Sequence, residues 1–143
     1  MERGEAIRRL QAARVGRLAT VRPDGSPHVV PFVFAIVEAG GKLAAYWAVD
    51  AKPKTTQAIQ RLTNLEANPA VEFVVDGYEE DWTKLWWVRA AGRARIVTSD
   101  EERGAALVAL AQKYPPYRTT PPAGPVVAIE VDRVEGWSSD PSA

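Results

Sequence analysis

The sequence predicts a mainly β (α+β) fold, a six-stranded antiparallel barrel with about three flanking helices. Three observations predict it. Most apolar residues fall in short runs rich in β-branched and aromatic side chains, bounded by turn signals. Helical spacing is confined to three segments. At 143 residues, without a linker, repeat or low-complexity stretch, the chain has the length of one domain, 1–143, able to bury one core.

Residues 2–13 place Ala6, Ile7 and Leu10 on one stripe with arginines opposite, the pattern of a short amphipathic helix. From Val15 the period changes. Residues 15–21, 28–37 and 42–49 read as three strands of a meander, joined by PDGS at 23–26 and EAGG at 38–41, each of hairpin length. Residues 52–68 return to helical spacing through Ile59, Leu62 and Leu65, and Asn68-Pro69 stops them. Strands at 70–75 and 86–98 then bracket an acidic loop holding Asp76, Glu79, Glu80 and Asp81. Ser99 with Glu102 forms a capping box for a helix to Lys113, which Pro115 and Pro116 end. A last strand occupies 126–134. Closing six strands into a barrel would remove exposed sheet edges.

Composition excludes several functions. The chain has 18 basic and 18 acidic residues and no long run of either sign, so it lacks the cationic excess that a nucleic-acid partner demands. Cysteine is absent, which removes disulfides, thiolate catalysis and Cys-based metal centres. The first ten residues are charged, and no stretch approaches the roughly 20 apolar residues of a membrane span. The expectation is a cytoplasmic protein without a membrane partner. The single histidine, His28, has no clustered carboxylates, so neither a hydrolytic triad nor a metal site is expected and His28 reads as structural. Neither a Rossmann fingerprint nor a P-loop occurs.

The most informative stretch is VDAKPKTT at 49–56, where a strand ends and two lysines precede a helix. Free N–H groups at a helix start favour anions, and Lys52, Lys54, Thr55 and Thr56 would strengthen that field into a phosphate cradle. The local residues equally suit a solubilised loop with Thr55 as a cap. Trp86 and Trp87, two of five tryptophans, are adjacent in a predicted strand. One must face the barrel and the other outward, where aromatic surface marks interfaces and ligand sites.

Four stretches together resemble the pyridoxamine 5'-phosphate oxidase-like split-barrel superfamily, and most closely its deazaflavin-dependent, coenzyme F420 branch. They are GRLATVRPDGSPHVVPFVF (16–34), DAKPKTTQAIQRLTNLEANPAVEFVVD (50–76), DWTKLWWVRAAGRARIV (81–97) and VEGW (134–137). The resemblance implies a split barrel and a homodimer with cofactor sites at the subunit interface. It implies that Lys52 and Lys54, beside Thr55, hold the cofactor phosphate and that Arg61 and Asn64 add polar support. The strands around 31–33 and 46–48, with Pro31, Val33, Trp47 and Ala48 among them, would border the tricyclic ring, and Trp87 and Arg89 would approach from the partner chain. The implied activity is an F420-dependent oxidoreductase passing a hydride between cofactor and a small unsaturated organic acceptor. FMN is the alternative cofactor, and a non-catalytic cofactor, haem or tetrapyrrole carrier is a second class. The chain ends GWSSDPSA rather than in the Arg-x-His element of the vitamin B6 oxidases, so that reaction is not expected.

Overall fold

The computed structural model describes residues 1–49 and 56–140. Its strands are β1 (Gly16–Val21), β2 (Pro27–Phe32), β3 (Ala35–Ala39), β4 (Lys42–Ala48), β5 (Ala70–Gly77), β6 (Trp86–Ile96) and β7 (Val126–Ser138). Its helices are α1 (Arg3–Ala12), α2 (Thr56–Ala67), α3 (Asp100–Lys113) and α4 (Pro115–Thr119), and a single 3₁₀ turn, Trp82–Lys84, precedes β6. The fold is thus mainly β with an antiparallel sheet, but with seven strands and four helices among the described residues in place of six and three.

The sheet runs β2-β1-β5-β6-β7-β4-β3 and does not close. Residues 28–37, which read as one strand, divide: β2 pairs with β1 and β3 with β4, so the first strands form two hairpins on opposite edges and not a meander. Only Val33 and Phe34 separate these two edge strands, and the three backbone steps from Phe32 to Ala35 span at most about 11 Å. The sheet must therefore curl until its edges nearly meet, as a barrel with a split.

Each hairpin turn has a local cause. Asp24 Oδ1 accepts from the Ser26 N–H and hydroxyl, and Gly25 takes φ +89°. Gly40 and Gly41 both have positive φ, as a tight two-residue hairpin loop requires. A bulge at Ala91/Gly92 bends β6. There a Cβ on Gly92 would collide with the Glu130 carbonyl.

The interior packs Leu18, Val30, Phe32, Phe34, Trp47, Phe73, Val88 and Ile129, with Leu10 of α1 and Leu65 of α2 joining from the ends. Ile59, placed on the same stripe as Leu62 and Leu65, is 52 % exposed. Helix α3 instead covers the outside of β4 and β7, where Ala106 and Leu107 meet Tyr46, Val126 and Ala128. Its Ser99 cap accepts from the Glu102 N–H at 3.0 Å. The Glu102 carboxylate, however, takes a bidentate pair from Arg95 and a hydrogen bond from Tyr46, so the expected reciprocal capping box is only half made. Pro115 does not simply end a helix; it opens α4, where its missing N–H costs nothing.

Along β6, Val88 and Ala90 are fully buried and Trp86 packs against the same interior. Trp86 is therefore the inward indole and Trp87 the outward one. Arg9 of α1 sits 4.7 Å over the Trp86 ring.

Candidate functional site

The ladder between β3 and β4 ends at Ala35↔Tyr46. Continued, it would have paired Phe34 with Trp47 and Val33 with Ala48. Instead β2 turns away toward β1, while Trp47 and Ala48 keep only their β7 partners, Val127 and Val126. A cavity of about 290 Å³ opens in this split. Pro31, Phe32 and Val33 line one side, Trp47 and Ala48 the other, and Val15, Arg61 and Tyr117 complete the wall.

The polar groups of this cavity are unusual. The Arg61 guanidinium lies 4.5 Å over the Trp47 ring, and burial pushes its pKa below the ordinary arginine value. Arginine stays charged even so. Arg61 Nε and Trp47 Nε1 are both buried without a hydrogen-bond partner among the described residues, and no ion pair holds Arg61 there. A half-buried cation lacking a counter-charge is costly unless a ligand supplies one. Its stacked, planar fork suits a carbonyl or anionic edge. The split also leaves two strand edges without ladder partners, which a planar molecule with donors and acceptors along its rim can meet. Arg61 and the aromatic wall can therefore hold a flat, electron-rich, anionic group away from water.

Two depressions with much larger volumes also lie among the described residues. One, about 580 Å³, is bounded by Arg3, Lys42 and Glu130 beside β4, and the other, about 480 Å³, lies on the outer face near Glu72 and Arg133. Both are lined by charges of both signs. Among the described residues no group of His, Asp or Glu could hold a metal ion. His28 faces inward and is held below its ordinary pKa by burial first, then by the charges of Arg22 and Arg61. No helix among the described residues is long and apolar enough to cross a membrane.

Of the residues singled out in the sequence, Pro31, Val33, Trp47, Ala48 and Arg61 come together in this cavity. Asn64 does not line it. It is fully buried, donating to Thr20 Oγ1 at 2.9 Å and accepting from Gln60 at 2.7 Å, and so ties α2 to β1. Trp87 and Arg89 lie on the outer face of β6, where Arg89 pairs with Glu72 and Glu135. Lys52, Lys54 and Thr55 lie outside the described residues. Phe32, within the stretch 31–33, lines it as well, whereas Val15 and Tyr117 are lining residues that sequence reasoning missed.

A family model described as pyridoxamine 5'-phosphate oxidase matches residues 4–138. No curated protein matches the chain. Among solved structures, a conserved hypothetical protein of Mycobacterium tuberculosis superposes with a TM-score of 0.75 at 24% identity, covering 97% of this chain and 86% of that one. A FAD-binding protein of Mesorhizobium loti gives a TM-score of 0.67 at 24% identity over 95% of this chain and 94% of that one. The FAD binding protein of Mycobacterium smegmatis gives 0.64 at 17% identity over 96% and 95%. At these identities the likeness is one of fold.

Proposed function

The chain belongs to the pyridoxamine 5'-phosphate oxidase family, and from that membership we propose that it is a flavin-type oxidoreductase whose cofactor ring enters the split between β2 and β4. The observation that carries this reading is Arg61, a half-buried cation stacked on Trp47 with no counter-charge among the described residues. A flavin or deazaflavin ring presents carbonyls and, when reduced, negative charge, which such a cation stabilises. The cavity, about 290 Å³, is at the low end of the roughly 300–1,000 Å³ usual for ligand pockets. It suits the ring and leaves the phosphate outside.

Coenzyme F420 is the cofactor that the sequence resemblance favours, with FMN as the alternative, since both join a tricyclic ring to a phosphate. The FAD-binding proteins of similar fold support the broader flavin class. When bound, the cofactor supplies hydride transfer to a small unsaturated acceptor. The protein's own residues then position and shield: Val33, Trp47 and Ala48 exclude water, and Arg61 holds the electron-rich edge. Lys52, Lys54 and Thr55 would take the phosphate. In a homodimer, Trp87 and Arg89 of one chain would complete the partner's pocket.

Titration with F420 and FMN, followed by tryptophan fluorescence, tests this reading. Saturable quenching by at least one is expected, and it should shrink in Trp47→Phe, because Trp47 is the indole lining the cavity. Failure of both to bind would overturn the proposal.

A further inference from the structure

Where a ladder stops, its backbone groups still need partners. At Phe34 those partners are side chains from the end of α3. The Phe34 N–H donates to the Tyr114 phenol oxygen at 3.1 Å. The phenol lies 3.0 Å from the carbonyl oxygens of both Phe34 and Arg14 and donates to one of them. The Lys113 ammonium donates to the Phe34 carbonyl at 2.9 Å and stands 4.3 Å over the Phe34 ring. Arg14 closes the knot, with its guanidinium 4.8 Å over the Tyr114 ring and a hydrogen bond to the Lys113 carbonyl at 2.8 Å.

This knot stands directly behind the cavity. The buried cluster that includes Tyr114 packs against Val33, Ala48 and Tyr117, all lining residues, and the Tyr114 and Tyr117 rings meet edge to face at 6.1 Å. A further lining residue, Val15, directly follows Arg14, whose carbonyl the phenol reaches. The phenol thus ties the β2–β3 junction at Phe34 to the segment that leads into β1, within a cluster that also packs against Ala48 of β4.

We propose that Tyr114, assisted by Lys113, is a positioning residue for the cofactor pocket, a wedge that replaces the missing β3–β4 pairs and fixes the width of the split. The inference rests on reading that cavity as the cofactor site. The cost of the arrangement supports it: burial, with Arg14's charge adding, pushes the Lys113 ammonium down to about 8. A plain packing role would need no cation there.

Tyr114→Phe removes only the hydroxyl, Lys113→Met removes the ammonium, and Lys113→Arg keeps a donor. In cofactor-free protein, the indole N–H resonance of Trp47, assigned by its loss in Trp47→Phe, should move in Tyr114→Phe and Lys113→Met. It should return toward the wild-type position in Lys113→Arg, while the resonance of Trp82, 76 % exposed on the far hairpin, stays. The FMN dissociation constant should rise on the order of tenfold in the first two variants, the effect of roughly one hydrogen bond's worth of pre-organisation. An unmoved Trp47 resonance with unchanged affinity, whatever the melting temperature does, would overturn the wedge. If wild-type protein binds neither FMN nor F420, the cofactor reading falls, and the Trp47 resonance alone decides whether Tyr114 shapes the split.

Discussion

Arg61 is held where a charge is expensive, and its neighbour across the helix turn shows the contrast. Asn64 is fully buried but satisfied by Thr20 and Gln60, whereas Arg61 stacks on Trp47 with an orphaned Nε. A satisfied buried amide stabilises a fold, while a buried cation that finds no counter-charge among the described residues costs stability and is retained for binding. Arg61→Gln should therefore separate the two properties. Without cofactor, its melting temperature should equal or exceed that of wild type. Its affinity for FMN or F420 should fall by roughly ten- to a hundredfold, the worth of a charge-assisted hydrogen bond of about 1.5–3 kcal/mol. Isothermal titration beside thermal denaturation reads both, and a variant that melts earlier yet binds as wild type would assign Arg61 to the fold.

Strand β6 turns an alternation rule into two different phenotypes. Trp86 points inward against the core and under Arg9, and Gly77 opposite has room for no Cβ because the Trp86 ring fills the space. Trp87 lies outside, opposite Trp137 and under the Arg89 guanidinium. Trp86→Ala should cost about 3 kcal/mol in urea unfolding, the lower end for a buried aromatic, and Trp87→Ala less than about 1. Equal losses would contradict the assignment. That one tryptophan faced each way was legible from period alone, but which one was not, because alternation has no sign until the partners on β5 and β7 are known. Residues 28–37 show the same limit. Their apolar run is unbroken, so they read as one strand; the change of partner at Val33 and Phe34 depends on distant strands. Tyr117 reaches the cavity from far along the chain, and no local spacing encodes that contact. Pro31, Val33, Trp47, Ala48 and Arg61 were legible only through the order of motifs.

On the scale of the whole molecule, the two outer faces of the sheet differ. Helix α3 packs on the outside of β4 and β7. The opposite outer face, built from β2, β1, β5 and the near halves of β6 and β7, presents Val29 at 61 % exposure and Trp137 at 41 %, with Ala19, Val74, Trp87 and Ala91 between them. Arg89 bridges Glu72 and Glu135 within it. An apolar field of this kind, threaded by neutralised charges, is what a self-complementary interface uses, and a stable dimer needs about 800 Å² from each partner. The prediction is a dimer in solution through this face. Trp87→Glu places a charge where an apolar contact should form, and it should shift sedimentation at micromolar concentration toward the mass of one 15.6 kDa chain without loss of the folded spectrum. Cofactor affinity should fall with it, because Trp87 and Arg89 would no longer reach the partner's split. Wild-type protein that sediments as one chain at every concentration, with and without cofactor, would confine the pocket to a single subunit and leave Trp87 a surface residue.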